Sequence, residues 1–154
     1  MISHWYTHKI RPARKENKSD PQKQRVYRME REWIGQAVDT TVPLDKLRAI
    51  AKHACRAAGV RCPKVRVYHK PKERIFGYCT DEMIMLNSGF HGQNLSVLLH
   101  ELAHWITDKT HPDATSHGPV FCTIYRKLLD DYRLLPTVAF DALAEKWGVE
   151  HNGF

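Results

Sequence analysis

The string His100-Glu101-Leu102-Ala103-His104 constrains this chain more than any other. On a helix, residues four apart lie one turn apart on the same face, with Cβ atoms about 5–6 Å from each other. Two imidazoles placed so can reach one metal ion at about 2.0–2.1 Å each. The flanking residues predict such a helix. Leu95, Leu98, Leu99, Leu102 and Ile106 recur at helical spacing on one face, with Asn94 as the N-cap. Val97, His100, Glu101 and His104 fall on the opposite face. The expectation is that the leucines dock the helix while the histidines look out into a cleft. Glu101 adjoins the first histidine and can accept a proton from a water activated there. Chance is a poor explanation: with 10 His and 8 Glu in 154 residues, roughly 0.03 such strings are expected.

A catalytic zinc ion needs a third protein ligand and an open fourth position. His111, Asp113, His117, Asp130 and Asp131 are the candidates. The extended motif that places Gly at 107 and His at 110 is not met, because both positions are Thr. His111 falls one residue late for a third histidine six positions after the second. His117 is the best placed: it ends a loop and opens a helix whose apolar stripe gives a ligand rigid support. The plainer alternative for His117 is a helix-capping or surface histidine.

The rest of the chain reads as one α+β domain. Residues 1–24 are polar and rich in Lys, Arg, Gln and Pro. They predict a flexible or loosely docked basic arm, with Trp5 and Tyr6 able to anchor its start. The domain proper is expected at 25–154. Val26, Met29 and Trp33 begin a helical period from Arg25. Leu44–Ala58 predicts a second helix, with Pro43 at its start and Gly59 past its end. The period then drops to two in Lys64–Lys70, where Val65 and Val67 alternate with Lys64, Arg66 and Tyr68. Arg74–Cys79 and Glu82–Leu86 read as two further strands, giving a small antiparallel three-stranded sheet. After the helix that carries the motif come a loop at about 108–117, a helix from Gly118-Pro119, and a last helix over Val138–Trp147 stopped by Gly148. About five helices are expected in all.

The net charge is +7, and it is unevenly spread. Residues 1–75 hold 19 basic and 7 acidic residues; residues 76–154 hold 5 and 10. The first half is therefore suited to a polyanion. Arg48, Lys52 and Arg56 form one basic stripe on the second helix. Lys64, Arg66 and Lys70 form another on the first strand, with Tyr68 between the last two. Together they could track a phosphate backbone while the tyrosine stacks on a base, which makes DNA a candidate partner. The competing reading is a solubilising surface. Four scattered cysteines, Cys55, Cys62, Cys79 and Cys122, form no C-x-x-C pair, which argues against a zinc ribbon or disulfide scaffold and suits a reducing, cytoplasmic setting. No secretory signal or membrane-spanning run is evident, and a monomer is expected.

His-Glu-Leu-Ala-His followed by Ser116-His117-Gly118-Pro119-Val120-Phe121-Cys122 resembles the SprT-like zinc metalloprotease family, including the Spartan type that cuts DNA–protein crosslinks. The resemblance covers roughly 75–132, and H-G-P-x-F is its specific element. It implies a zincin-like domain with one catalytic Zn²⁺ on His100, His104 and His117, Glu101 as general base, and a protein or peptide substrate associated with DNA. Two features depart from the family pattern: Val120 stands where an acidic residue is common, and the C-terminal cysteine ribbon of many bacterial members is missing. A strand such as Glu82–Leu86 at the cleft rim would bind an extended substrate by strand addition. Two other readings stand beside this one. The first is a nucleic-acid-binding protein with a structural zinc ion, the second a zinc peptidase acting on cell-wall peptides.

Overall fold

The computed structural model describes residues 19–34 and 40–151. Helix α1 spans Lys23–Ile34 and α2 spans Leu44–Ala58. Three short strands follow: β1 Lys64–Tyr68, β2 Gly77–Cys79 and β3 Met83–Asn87. The chain closes with α3 Leu95–Thr110, α4 Pro119–Asp131 and α5 Thr137–Trp147. The class is α+β, as the grouping of helical and strand periods predicts.

Local chemistry sets most of the boundaries. The Asn94 side chain accepts a hydrogen bond from the Val97 N–H and caps α3. Pro119 opens α4 at its first position, where its missing N–H costs nothing. Gly59 (φ 71°) and Gly148 (φ 67°) end α2 and α5 in the left-handed conformation that favours glycine.

The sheet departs from expectation. Its order is β1-β3-β2; β2 pairs antiparallel with β3, but β1 pairs parallel with it, Val65 opposite Ile84 and Val67 opposite Leu86. The sheet is mixed, not antiparallel. Three consecutive short strands read as a meander because Pro71-Lys72-Glu73 carries turn signals. Residues 69–76 instead carry the chain past the slot that β3 later fills, and Arg74–Phe76 lie outside β2. One buried side chain holds this crossing. Asn87 Nδ2 donates to the carbonyls of Lys70, Glu73 and Ile75, and Oδ1 accepts from the N–H groups of Lys70 and Gly89.

Helix α3 runs through the centre, packed on α4, on α2 and on the face of the sheet formed by β2 and β3. It is buried without interruption from Ser96 to Thr107. That corrects the expected cleft-facing stripe: the histidine face is covered by α1 and α4. The supposed end of the arm is docked as well. Gln22 is buried and makes a two-way bond with the backbone of Glu150, so residues 19–24 belong to the folded unit. Residues 1–18, with the suggested Trp5 and Tyr6 anchor, lie outside the described residues. No described helix is long and apolar enough to cross a membrane.

Candidate metal centre

His100 and His104 share one face of α3, as their spacing requires. His117 reaches them from the turn before α4. That turn is tight: the Gly118 N–H bonds to the Thr115 carbonyl, and a Cβ on Gly118 would stand 1.9 Å from the Thr115 hydroxyl oxygen. A glycine there lets His117 fold inward just as Pro119 starts the helix. The three histidines each offer a ring nitrogen, and these atoms all lie within 4.8 Å of one another. The two Nε2 atoms of His100 and His104 are 3.2 Å apart. Two nitrogens bound tetrahedrally to one zinc ion are separated by about 3.3 Å, so the residues fit a shared ion.

The carboxylates behind the histidines orient them. His100 Nδ1 is 2.6 Å from Glu30 Oε2 on α1. His117 Nδ1 is 2.8 Å from Asp20 Oδ2, and the His117 backbone N–H donates to Asp20 Oδ1. A carboxylate on Nδ1 holds its proton there and turns the Nε2 lone pair inward, the usual arrangement behind metal-binding imidazoles. Burial raises the Asp20 carboxyl, but the hydrogen bonds and charge of His117, helped by Lys23, outweigh it and hold the group below the usual carboxylate range. Glu30 is itself fixed by the Tyr125 hydroxyl, which donates to Oε2 at 2.6 Å. Burial first, then the charge of Glu30, pushes the Tyr125 phenol well above its ordinary value. Tyr125 therefore supports a supporter and is not aimed at a substrate. Phe121 stacks on His104 with centroids 4.4 Å apart.

His100, Glu101, His104 and His117 are all fully buried. The other suggested third ligands stand elsewhere. His111, Asp130 and Asp131 line a separate groove with His53 and Tyr132, and Asp113 is exposed. Asp20 and Glu30 were not legible as site residues from local spacing. One signal was present: Glu30 falls between Val26 and Trp33 on the apolar stripe of α1, a place where a carboxylate needs a partner.

The basic residues divide. Arg48, Lys52, Lys64 and Arg66 do meet, lining one groove of about 420 Å³ between α2 and β1. Arg48 Nε donates to the Val65 carbonyl and ties the two elements. Arg56 is exposed but does not line this groove. Lys70 lies apart, 3.7 Å from Glu73. Tyr68 is half-buried, with its hydroxyl buried and its ring 5.9 Å from that of Tyr78; it does not join the basic groove. Burial, then the charges of Glu73, Tyr78 and Glu101, raises its phenol above the ordinary value.

Compared with known protein families, with curated proteins and with solved structures, the chain matches none.

Proposed function

We propose that the chain is a zinc-dependent endopeptidase of the SprT-like kind, acting on proteins associated with DNA. The observation that carries this reading is Glu101, a carboxylate one residue from His100 and enclosed with three convergent imidazoles. His100, His104 and His117 would hold the ion. When bound, zinc supplies a Lewis acid that draws the pKa of water towards about 7 and polarises a carbonyl. Glu101 takes the proton from the attacking water and returns it to the leaving amine. Glu30 and Asp20 keep the imidazoles in one tautomer throughout.

The strand suited to hold an extended substrate is β2. The earlier candidate, Glu82–Leu86, overlaps β3, which is paired on both sides and can accept no further strand; β2 is a sheet edge and packs on α3. The groove of Arg48, Lys52, Lys64 and Arg66 supplies the contact with a phosphate backbone.

The deciding experiment is Glu101→Gln. The variant should keep its metal and fold while hydrolysis of an unfolded protein substrate falls by at least about 10²–10⁴-fold. An active variant defeats the mechanism. Complete burial of the centre favours a second reading, a structural ion. In that case the wild type shows no hydrolysis, and the substitution changes only stability.

A further inference from the structure

Two of the three convergent imidazoles have a carboxylate behind Nδ1, while His104 has a ring against its face. Phe121 stacks on it with centroids 4.4 Å apart and planes 30° apart. The same ring meets His117 and His100 edge to face, at 5.0 and 5.3 Å and at 68° and 62°. Phe121 therefore packs against all three histidines, and it is fully buried. Local structure explains how it comes to lie there. His117, Phe121 and Tyr125 follow one another at intervals of four, His117 in the turn before α4 and the other two within it. Helical side chains lean towards the N-terminus of their own helix, so Phe121 leans back towards His117. Tyr125, one turn later, has its ring 5.3 Å from Phe121 and its hydroxyl on Glu30. One strip of α4 thus carries a histidine, the ring that packs on all three histidines, and the hydroxyl that fixes the carboxylate behind His100.

Resting on the reading of the three histidines as a metal centre, we propose that Phe121 is its positioning residue: the ring fixes the plane of His104 and keeps the bound ion four-coordinate. The Nε2 lone pair lies in the imidazole plane. Turning His104 about its Cβ–Cγ bond would drive the edge of the imidazole into the face of Phe121 and break the flat contact. The stack therefore aims the lone pair, as the hydrogen bonds to Glu30 and Asp20 do for the other two rings. Phe121 also sets what can surround the ion. Its face carries no lone pair for a metal and admits no water on that side. Three imidazoles and one further ligand make the four-coordinate set that zinc takes, whereas magnesium and manganese favour six ligands. A wall without donors selects for the smaller set. Proteolysis is not needed for this role, which belongs to the centre alone.

The test uses cobalt(II), whose visible absorption is intense when four-coordinate and weak when six-coordinate. The full chain loaded with cobalt(II) should show the intense bands. Phe121→Leu, which keeps an apolar side chain but no flat face, should show weak bands and hold the ion about 10–100-fold less tightly in competition with a chelator. Phe121→Tyr keeps the ring and should restore both properties. Leu129→Ala opens the buried core elsewhere on α4; it should lower the melting temperature and leave the spectrum as it was. Should Phe121→Leu fail to fold, Phe121→Met carries the same expectation. Weak bands in the wild type, an unchanged spectrum in Phe121→Leu, a Phe121→Tyr spectrum like that of Phe121→Leu, or weakened bands in Leu129→Ala would each overturn the proposal. A wild type that binds no cobalt removes the metal centre and this role together. The expected contrast in a chain that cleaves no protein supports the role even as the protease reading fails.

Discussion

At the scale of single residues, the two carboxylates behind the histidines matter as much as the spacing of the motif. An imidazole whose Nδ1 has lost its acceptor can rotate or change tautomer, and the lone pair it offers inward is no longer fixed. Asp20→Asn and Glu30→Gln should each weaken metal retention by about 10–100-fold, read by competition with a chromophoric chelator. Unaltered affinity in both variants would mean that the carboxylates only fill space. His117→Ala should weaken retention further; full metal occupancy in that variant would mean that a different residue supplies the third bond. The motif showed His100, Glu101 and His104 because all three lie within one helical turn. Asp20 and Glu30 were not legible because they sit 97 and 70 residues from the imidazoles they orient. Only the carboxylate on an otherwise apolar stripe hinted at one of them.

At the scale of elements, helices were read well and the sheet less so, for one physical reason. Helical period, caps and the glycines at 59 and 148 are local signals, so α2 and the start of α3 are where the sequence indicates. Strand direction is set by the connection. Here a single side chain, Asn87, holds the 69–76 crossing through carbonyls at Lys70, Glu73 and Ile75. Asn87→Ala strands these acceptors, and a buried polar group left unpaired costs about 1–3 kcal/mol. The variant should therefore lose about that much stability, seen as a lower denaturant midpoint with unchanged slope. A variant as stable as the wild type would show that the loop holds itself. Periodicity likewise reported which face of α3 is apolar, but not that α1 would cover the other one.

For the whole molecule, charge and metal give two further expectations. Arg48 and Lys52 from α2 face Lys64 and Arg66 from β1 across one groove. Replacing Arg48, Lys52, Lys64 and Arg66 by Gln should weaken binding to single- and double-stranded DNA and flatten its dependence on salt, because fewer counterions are released. Metal content should not change. No mobility shift by the wild type at micromolar protein and low salt would remove DNA from the account. Removing the ion with a strong chelator should lower the melting temperature, since an ion bound only by the folded state stabilises it by mass action. His117 joins the start of α4 to the segment before α1, so exchange protection should fall first at the Asp20–His117 contact. Equal melting temperatures with and without metal would argue that the centre is rigid on its own.

The clasp of Asp20 on His117 also has a consequence in time. A ribosome releases a chain from its first residue onward, and residues 20 and 30 emerge long before residues 100, 104 and 117. While it waits, α1 has neither the histidines that occupy Glu30 and Asp20 nor the backbone of Glu150 that receives Gln22. A growing chain therefore cannot assemble the centre early: the three histidines and the two carboxylates behind them meet only after the segment through α4 has been made.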